Sequence, residues 1–292
     1  MLLDKSFYLT QSQAGTDLFN AAGKIPQRRI EESGLDILLR TPLEEFQRIS
    51  CLPTSFAVAV NLLCGSRVFG LGAQTTLNAG HILEVAVFAH TNDETLEDGT
   101  ILKRGDPSID RRTGNFYHAF LLGLAIRFNL RGVLIANLFE TEKLISLIRN
   151  GAVILVSLDN LFVPQVSGLG RGITKLRVGR HVILLYDAVG NGDSTEFVYS
   201  DVFNPKPEDG FLPVNLRVQP RILNQYLWTN RQPQITPRMI ALWQSGNKKP
   251  LEHLVGLSGF VNPAKINPVF CQYPGILFQQ FLERLKIEAQ KT

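Results

Sequence analysis

The distribution of apolar positions divides the chain into a helical first half and a strand-rich second half. Phe56, Val60 and Leu63 recur at i, i+4 and i+7, with Ala57, Ala59 and Leu62 beside them, which predicts a helix that starts at Pro53 and closes at Gly65. That helix is apolar nearly all round and is therefore expected deep in the core. Upstream, Thr41-Pro42 followed by Glu44 and Glu45 marks another helix start. Downstream, His81 to Ala89 and Tyr117 to Phe128 carry helical patterns, the second ended by Asn129, and the polar stretch 91–115 between them reads as a loop.

The period then changes. Residues 132–136 read as a strand, Glu140 to Arg149 as an amphipathic helix, and Asn150-Gly151 as a turn. Ala152 to Leu158 is a continuous apolar run, the signature of a strand buried on both faces. After a Gly- and Arg-rich loop at 164–180, His181 to Val189 and Glu196 to Asp201 form a predicted hairpin around the turn at 190–194. Short helices are expected at Leu223 to Trp228 and Pro237 to Trp243, and an amphipathic one at Gly275 to Ala289. Helices first and paired strands afterwards give an α+β class, with N-terminal helices packed on a mainly antiparallel sheet. The expected organisation is an N-terminal extension over 1–40, a central domain over 41–212 and a C-terminal helical extension over 213–292.

Composition narrows the class without naming an activity. The 292 residues are 45% hydrophobic and 19% charged, enough for a substantial core, and no apolar run is long enough to span a membrane. No signal-like segment opens the chain, so a soluble, cytoplasmic protein is expected. A formal net charge of +4 is too small to predict a nucleic-acid partner. Cys51, Cys64 and Cys271 are too scattered for a disulfide framework and lack zinc-type spacing, so neither metal nor cofactor is expected.

Position singles out Cys51. It lies just before Pro53, at the N-terminal end of the buried helix, where the helix dipole favours a thiolate. Cys64 lies at the opposite end, where the dipole has the wrong sign. His181 opens a buried strand directly after a loop, so its ring can reach a cleft while Val182, Ile183 and Leu184 pack. A tight hairpin brings Asp201 close to His181, where a carboxylate can orient the imidazole; Asn204 could serve the same purpose with an amide.

These residues resemble a known pattern. The stretch Cys51-Leu-Pro-Thr-Ser-Phe-Ala-Val-Ala-Val is similar to the cysteine-bearing helix of papain-like cysteine peptidases, in the branch related to the bacteriocin-leader-processing (double-glycine) peptidases. Residues 144–160, with a helix, Asn-Gly and a buried strand, and 181–205, with His-x-hairpin-Asp, resemble the family's later segments. The likeness covers roughly 45–207. It departs at Leu52, where the family usually has Gly, and at Val202, where Pro often follows the Asp. Gln47 lies closer to the cysteine than the family's oxyanion-hole glutamine.

Carried over, the resemblance implies a papain-like fold, Cys51 as nucleophile, His181 as base, Asp201 as orienting acid and Gln47 as an oxyanion donor. The implied activity is hydrolysis of an amide bond in a peptide or protein substrate through a thioester. Two rivals stand beside it: transfer of the acyl group to an amine, as in transglutaminase-like enzymes, and a catalytically silent binding module. The basic run Arg171, Lys175, Arg177 and Arg180, leading into His181, reads as a solvated loop or as a rim that prefers acidic segments.

Overall fold

A computed structural model of the chain describes residues 3–65, 77–89, 94–95, 101–102, 109, 116, 118–135, 141–169, 179–204, 209–227, 239–253 and 260–261. The helices are α1 (Gln11–Lys24), α2 (Gln27–Ser33), α3 (Ile37–Arg40), α4 (Leu43–Ile49), α5 (Cys51–Cys64), α6 (Ala79–Ala89), α7 (His118–Arg127), α8 (Thr141–Arg149), α9 (Pro220–Gln225) and α10 (Lys249–Glu252). Two short strands, β1 (Glu94–Thr95) and β2 (Ile101–Leu102), pair with each other. The remaining strands are β3 (Leu130–Ile135), β4 (Val153–Asp159), β5 (Arg180–Val189), β6 (Glu196–Asp201), β7 (Leu216–Val218), β8 (Met239–Gln244) and β9 (Phe260–Val261). They form one sheet in the order β7-β6-β5-β4-β8-β3-β9, antiparallel at every described pairing. The α+β class with a mainly antiparallel sheet is thus what the chain adopts.

Both faces of the sheet are covered, which explains the unbroken apolar run of β4. Val153 and Leu155 point into one core with Phe56, Val58 and Val60 of α5, while Ile154, Val156 and Leu158 point into another with Leu144 and Ile148 of α8. Strand alternation is present, but two apolar environments hide it from the sequence. β5 follows the same rule: Val182 and Leu184 meet the α5 side, Ile183 and Leu185 the α8 side. Each fully buried Leu or Val adds about 1.5–3 kcal/mol relative to an exposed one, so these two layers hold the strands that carry the site.

Two stretches differ from expectation. Residues 237–243 were expected to form a short helix; Met239–Gln244 is instead strand β8, between β4 and β3. Its run Met-Ile-Ala-Leu-Trp is buried on both faces, and such a run has no period that separates a core helix from a core strand. Residues 11–40, expected as an extension, form α1 to α3 and bury Leu18, Ile30 and Leu35 in the same core as α5. Their apolar face is built from small residues, Ala14, Ala21 and Ala22, which weaken the helical pattern. Gly15 is the contact point of this packing, because a Cβ there would meet the backbone of Gln47 on α4, with its N at only 2.6 Å. No described helix is long and apolar enough to cross a membrane. The expected helix at 275–289, Cys271, and Arg171, Lys175 and Arg177 lie outside the described residues.

Candidate active site

Helix α5 begins at Cys51 itself, two residues earlier than Pro53 predicts. Ser50 is already helical (φ −80°, ψ −7°), so α4 runs into α5 without an extended cap residue. The fully buried Ser50 hydroxyl donates to the carbonyls of Gln11 (2.9 Å) and Gln47 (3.0 Å), and its own carbonyl accepts from the Thr54 N–H at 2.9 Å. Four residues past Cys51, on the same helix face, the Ser55 hydroxyl donates to the Val182 carbonyl of β5 at 3.3 Å. That bond fixes the first turns of α5 against the strand that starts with Arg180 and His181.

Opposite the helix start, the β5–β6 ladder pairs Ile183 with Asp201, so Asp201 lies diagonally across from His181. His181 Nε2 meets Asp201 Oδ1 at 2.7 Å, with the residues 4% and 0% exposed. Asp201 Oδ1 also accepts from the Phe203 N–H at 2.9 Å, while its buried Oδ2 has no partner among the described residues. The Tyr8 hydroxyl donates to the Asp201 carbonyl (2.9 Å) and the Gln11 N–H to the Val202 carbonyl (2.6 Å), so the N-terminal segment braces this corner.

Complete burial alone would drive a proton off the His181 ring. The Asp201 charge and hydrogen bond outweigh that effect, with a further contribution from Cys51, and His181 is pushed up to about 10. Because Asp201 occupies Nε2, Nδ1 is the nitrogen left to face the sulfur. The same carboxylate charge, added to burial, raises Tyr8 and Tyr199 far above the ordinary phenol value. Arg48 and Arg180 also interact electrostatically with Cys51. Cys51 is 7% exposed. Cys64 is the contrast: its thiol approaches the Phe128 carbonyl at 3.6 Å, and burial pushes it up to about 11.

Cys51, His181 and Asp201 are therefore brought together, while the Gln47 amide is bonded to α1. The Gln47 side chain reaches Ser12 on α1, with Nε2 donating to Oγ at 3.4 Å. The Asn204 amide donates to the Phe211 carbonyl at 2.7 Å and shapes the chain after β6. Among the other histidines, His81 contacts the backbone of Asn78, His118 the hydroxyl of Ser157, and His253 the side chains of Ser146 and Asn150. His90 lies outside the described residues.

Sequence reasoning misses Gln11. Its amide donates to the carbonyls of Gln47 (2.7 Å) and Arg48 (3.2 Å). A continuous helix would offer those two carbonyls to the N–H groups of Cys51 and Leu52. Its buried Oε1 has no partner among the described residues. Nothing near Gln11 in the sequence signals this, because the contact joins positions nearly forty residues apart in the chain. Among the described residues no cluster of three or more His, Cys, Asp or Glu has an arrangement that could hold a metal. Comparison with protein-family models, with curated proteins and with solved structures returns no match to this chain.

Proposed function

We propose that the chain is a cysteine peptidase of papain-like architecture that cleaves an amide bond in a peptide or protein. The observation that carries this reading is the buried His181–Asp201 pair at 2.7 Å, set against a cysteine in the first turn of a buried helix. Helix, strand start and neighbouring strand end supply nucleophile, base and orienting acid, the roles that acyl transfer needs.

In the resting site, His181 holds a proton on Nδ1 beside the Cys51 sulfur, and Nε2–H points at Asp201. The thiolate attacks the substrate carbonyl carbon, and the carbonyl π electrons move to oxygen. Backbone N–H groups at the start of α5 stabilise that oxyanion. The tetrahedral species collapses as Nδ1–H protonates the leaving amine, which leaves a thioester on Cys51. A water molecule, deprotonated by the now neutral Nδ1, attacks the thioester; the acid departs and the sulfur is released as thiolate beside the reprotonated ring. Asp201 keeps the ring in one orientation and stabilises the imidazolium throughout.

The test is turnover of a peptide library by the purified chain, with new N-termini read by mass spectrometry. Wild type should generate cleavages that Cys51→Ala and His181→Ala both lack while remaining folded. Cleavage that survives Cys51→Ala, or a wild-type chain that cuts nothing, would falsify the reading.

A further inference from the structure

We propose that Gln11 is a positioning residue that keeps the oxyanion site at the start of α5 open, by occupying the two carbonyls that the N–H groups of Cys51 and Leu52 would otherwise engage. This rests on the peptidase reading and deepens it.

Only Ser50 separates α4 from α5, and its backbone is itself helical (φ −80°, ψ −7°). In an unbroken helix the Cys51 N–H would donate to the Gln47 carbonyl and the Leu52 N–H to the Arg48 carbonyl. Gln11, the first residue of α1, takes both. The two hydrogens of its amide meet the Gln47 oxygen at 2.7 Å and the Arg48 oxygen at 3.2 Å. The Gln47 oxygen also receives the Ser50 hydroxyl at 3.0 Å, which fills its two lone pairs. The ladder of α5 opens with the Thr54 N–H on the Ser50 carbonyl at 2.9 Å, and Pro53 brings no donor. Cys51 and Leu52 therefore carry the N–H groups at the open end of the helix, beside the sulfur.

The main chain of Gln11 is held from both sides. Its N–H donates to the Val202 carbonyl at 2.6 Å, and its carbonyl accepts from the Ser50 hydroxyl at 2.9 Å. Both bonds survive a change of side chain, so the amide can be altered without freeing the segment. Aiming Nε2 at the two carbonyls leaves Oε1 buried with no partner among the described residues. An orphaned acceptor costs stability, and conflicts of that kind are expected where a site requires them. Without the amide, both carbonyls become available to Cys51 and Leu52, and the oxyanion loses its donors.

An oxyanion forms when the thiolate adds to a carbonyl and not when it displaces iodide, so two reagents isolate the effect. Cys51 is acetylated with p-nitrophenyl acetate and alkylated with iodoacetamide in the intact chain. The ratio of the two rates is compared between wild type and Gln11→Met, which keeps the side-chain length and removes both donors. Any change in thiolate population cancels in this ratio. It should fall about 100-fold, the loss that follows removal of one oxyanion donor, with alkylation unchanged. For a cleaved peptide, kcat should fall with little change in KM, because the contact is made only in the transition state. Gln11→Glu, which has the same shape with acceptors in place of donors, should behave alike.

An unchanged ratio, or equal losses in both reactions, overturns the proposal. Should neither variant fold, NMR on the wild-type chain decides. Couplings across hydrogen bonds should join Gln11 Nε2 to the Gln47 and Arg48 carbonyl carbons; couplings from the Cys51 or Leu52 nitrogen to those carbons overturn it. Such failures leave the peptidase reading standing as long as p-nitrophenyl acetate labels Cys51 faster in the folded wild type than in urea. Equal rates there overturn the peptidase reading instead.

Discussion

Replacing Asp201 with Asn removes one charge from the site at almost constant side-chain volume. In the native chain that charge keeps the buried His181 ring protonated, and the rise from an ordinary 6.5 to about 10 corresponds to roughly 5 kcal/mol in favour of the imidazolium. The substituted amide oxygen can still accept from the Phe203 N–H and from the ring. Its NH2 group, however, falls where Oδ2 has no partner among the described residues, which costs about 1–3 kcal/mol of stability. With the charge gone, burial dominates and the ring is neutral near pH 7. Cys51 then has no imidazolium beside it to stabilise the thiolate. The assay is the pH profile of Cys51 alkylation by iodoacetamide, with sites resolved by peptide mapping. Labelling near pH 6 should therefore slow by about tenfold or more in Asp201→Asn and converge with wild type in alkali. Circular dichroism checks that the variant is folded. Superimposable profiles would refute the coupling of Asp201 to the thiol through His181.

Since the folded value of His181 lies above the unfolded one, its contribution to stability is complete below about pH 6.5 and disappears as pH rises through about 10. The wild-type Tm should therefore fall between those limits, and Asp201→Asn should flatten that fall; an identical slope in both contradicts the assignment. Gly15→Ala drives a methyl group into the Gln47 backbone where α1 crosses α4, so it should cost about 1–3 kcal/mol, measured by urea unfolding. A neutral effect would show that this crossing is looser than described. Cys64→Ala should leave the alkylation profile and peptide turnover unchanged, because burial holds that thiol protonated; lost activity would point to a second functional cysteine.

How much of this was legible in the sequence depends on the sequence separation of each contact. The His181–Asp201 pairing rests on a hairpin closed by the turn at 190–194, so counting along two strands was enough to bring the groups together. Cys51 was legible because Pro53 and Gly65 mark both ends of α5. β8 was not, because its partners β3 and β4 are about a hundred residues upstream and its apolar run has no period of its own. The Gln47–Ser12 bond was not legible either, because it depends on how α1 packs on α4. Gln11 and Tyr8 reach the site only through tertiary packing.

The central claim is that the Cys51 sulfur is poised to attack a carbonyl. The most direct measurement uses p-nitrophenyl acetate, an activated ester that needs no matched side chains, followed by acid quenching and mapping of the acetylated residue. The account predicts rapid acetylation of Cys51 at and below neutral pH, well ahead of Cys64, and its loss in His181→Ala. Acetylation of Cys51 no faster than in the urea-unfolded chain, or equally fast without His181, would contradict it.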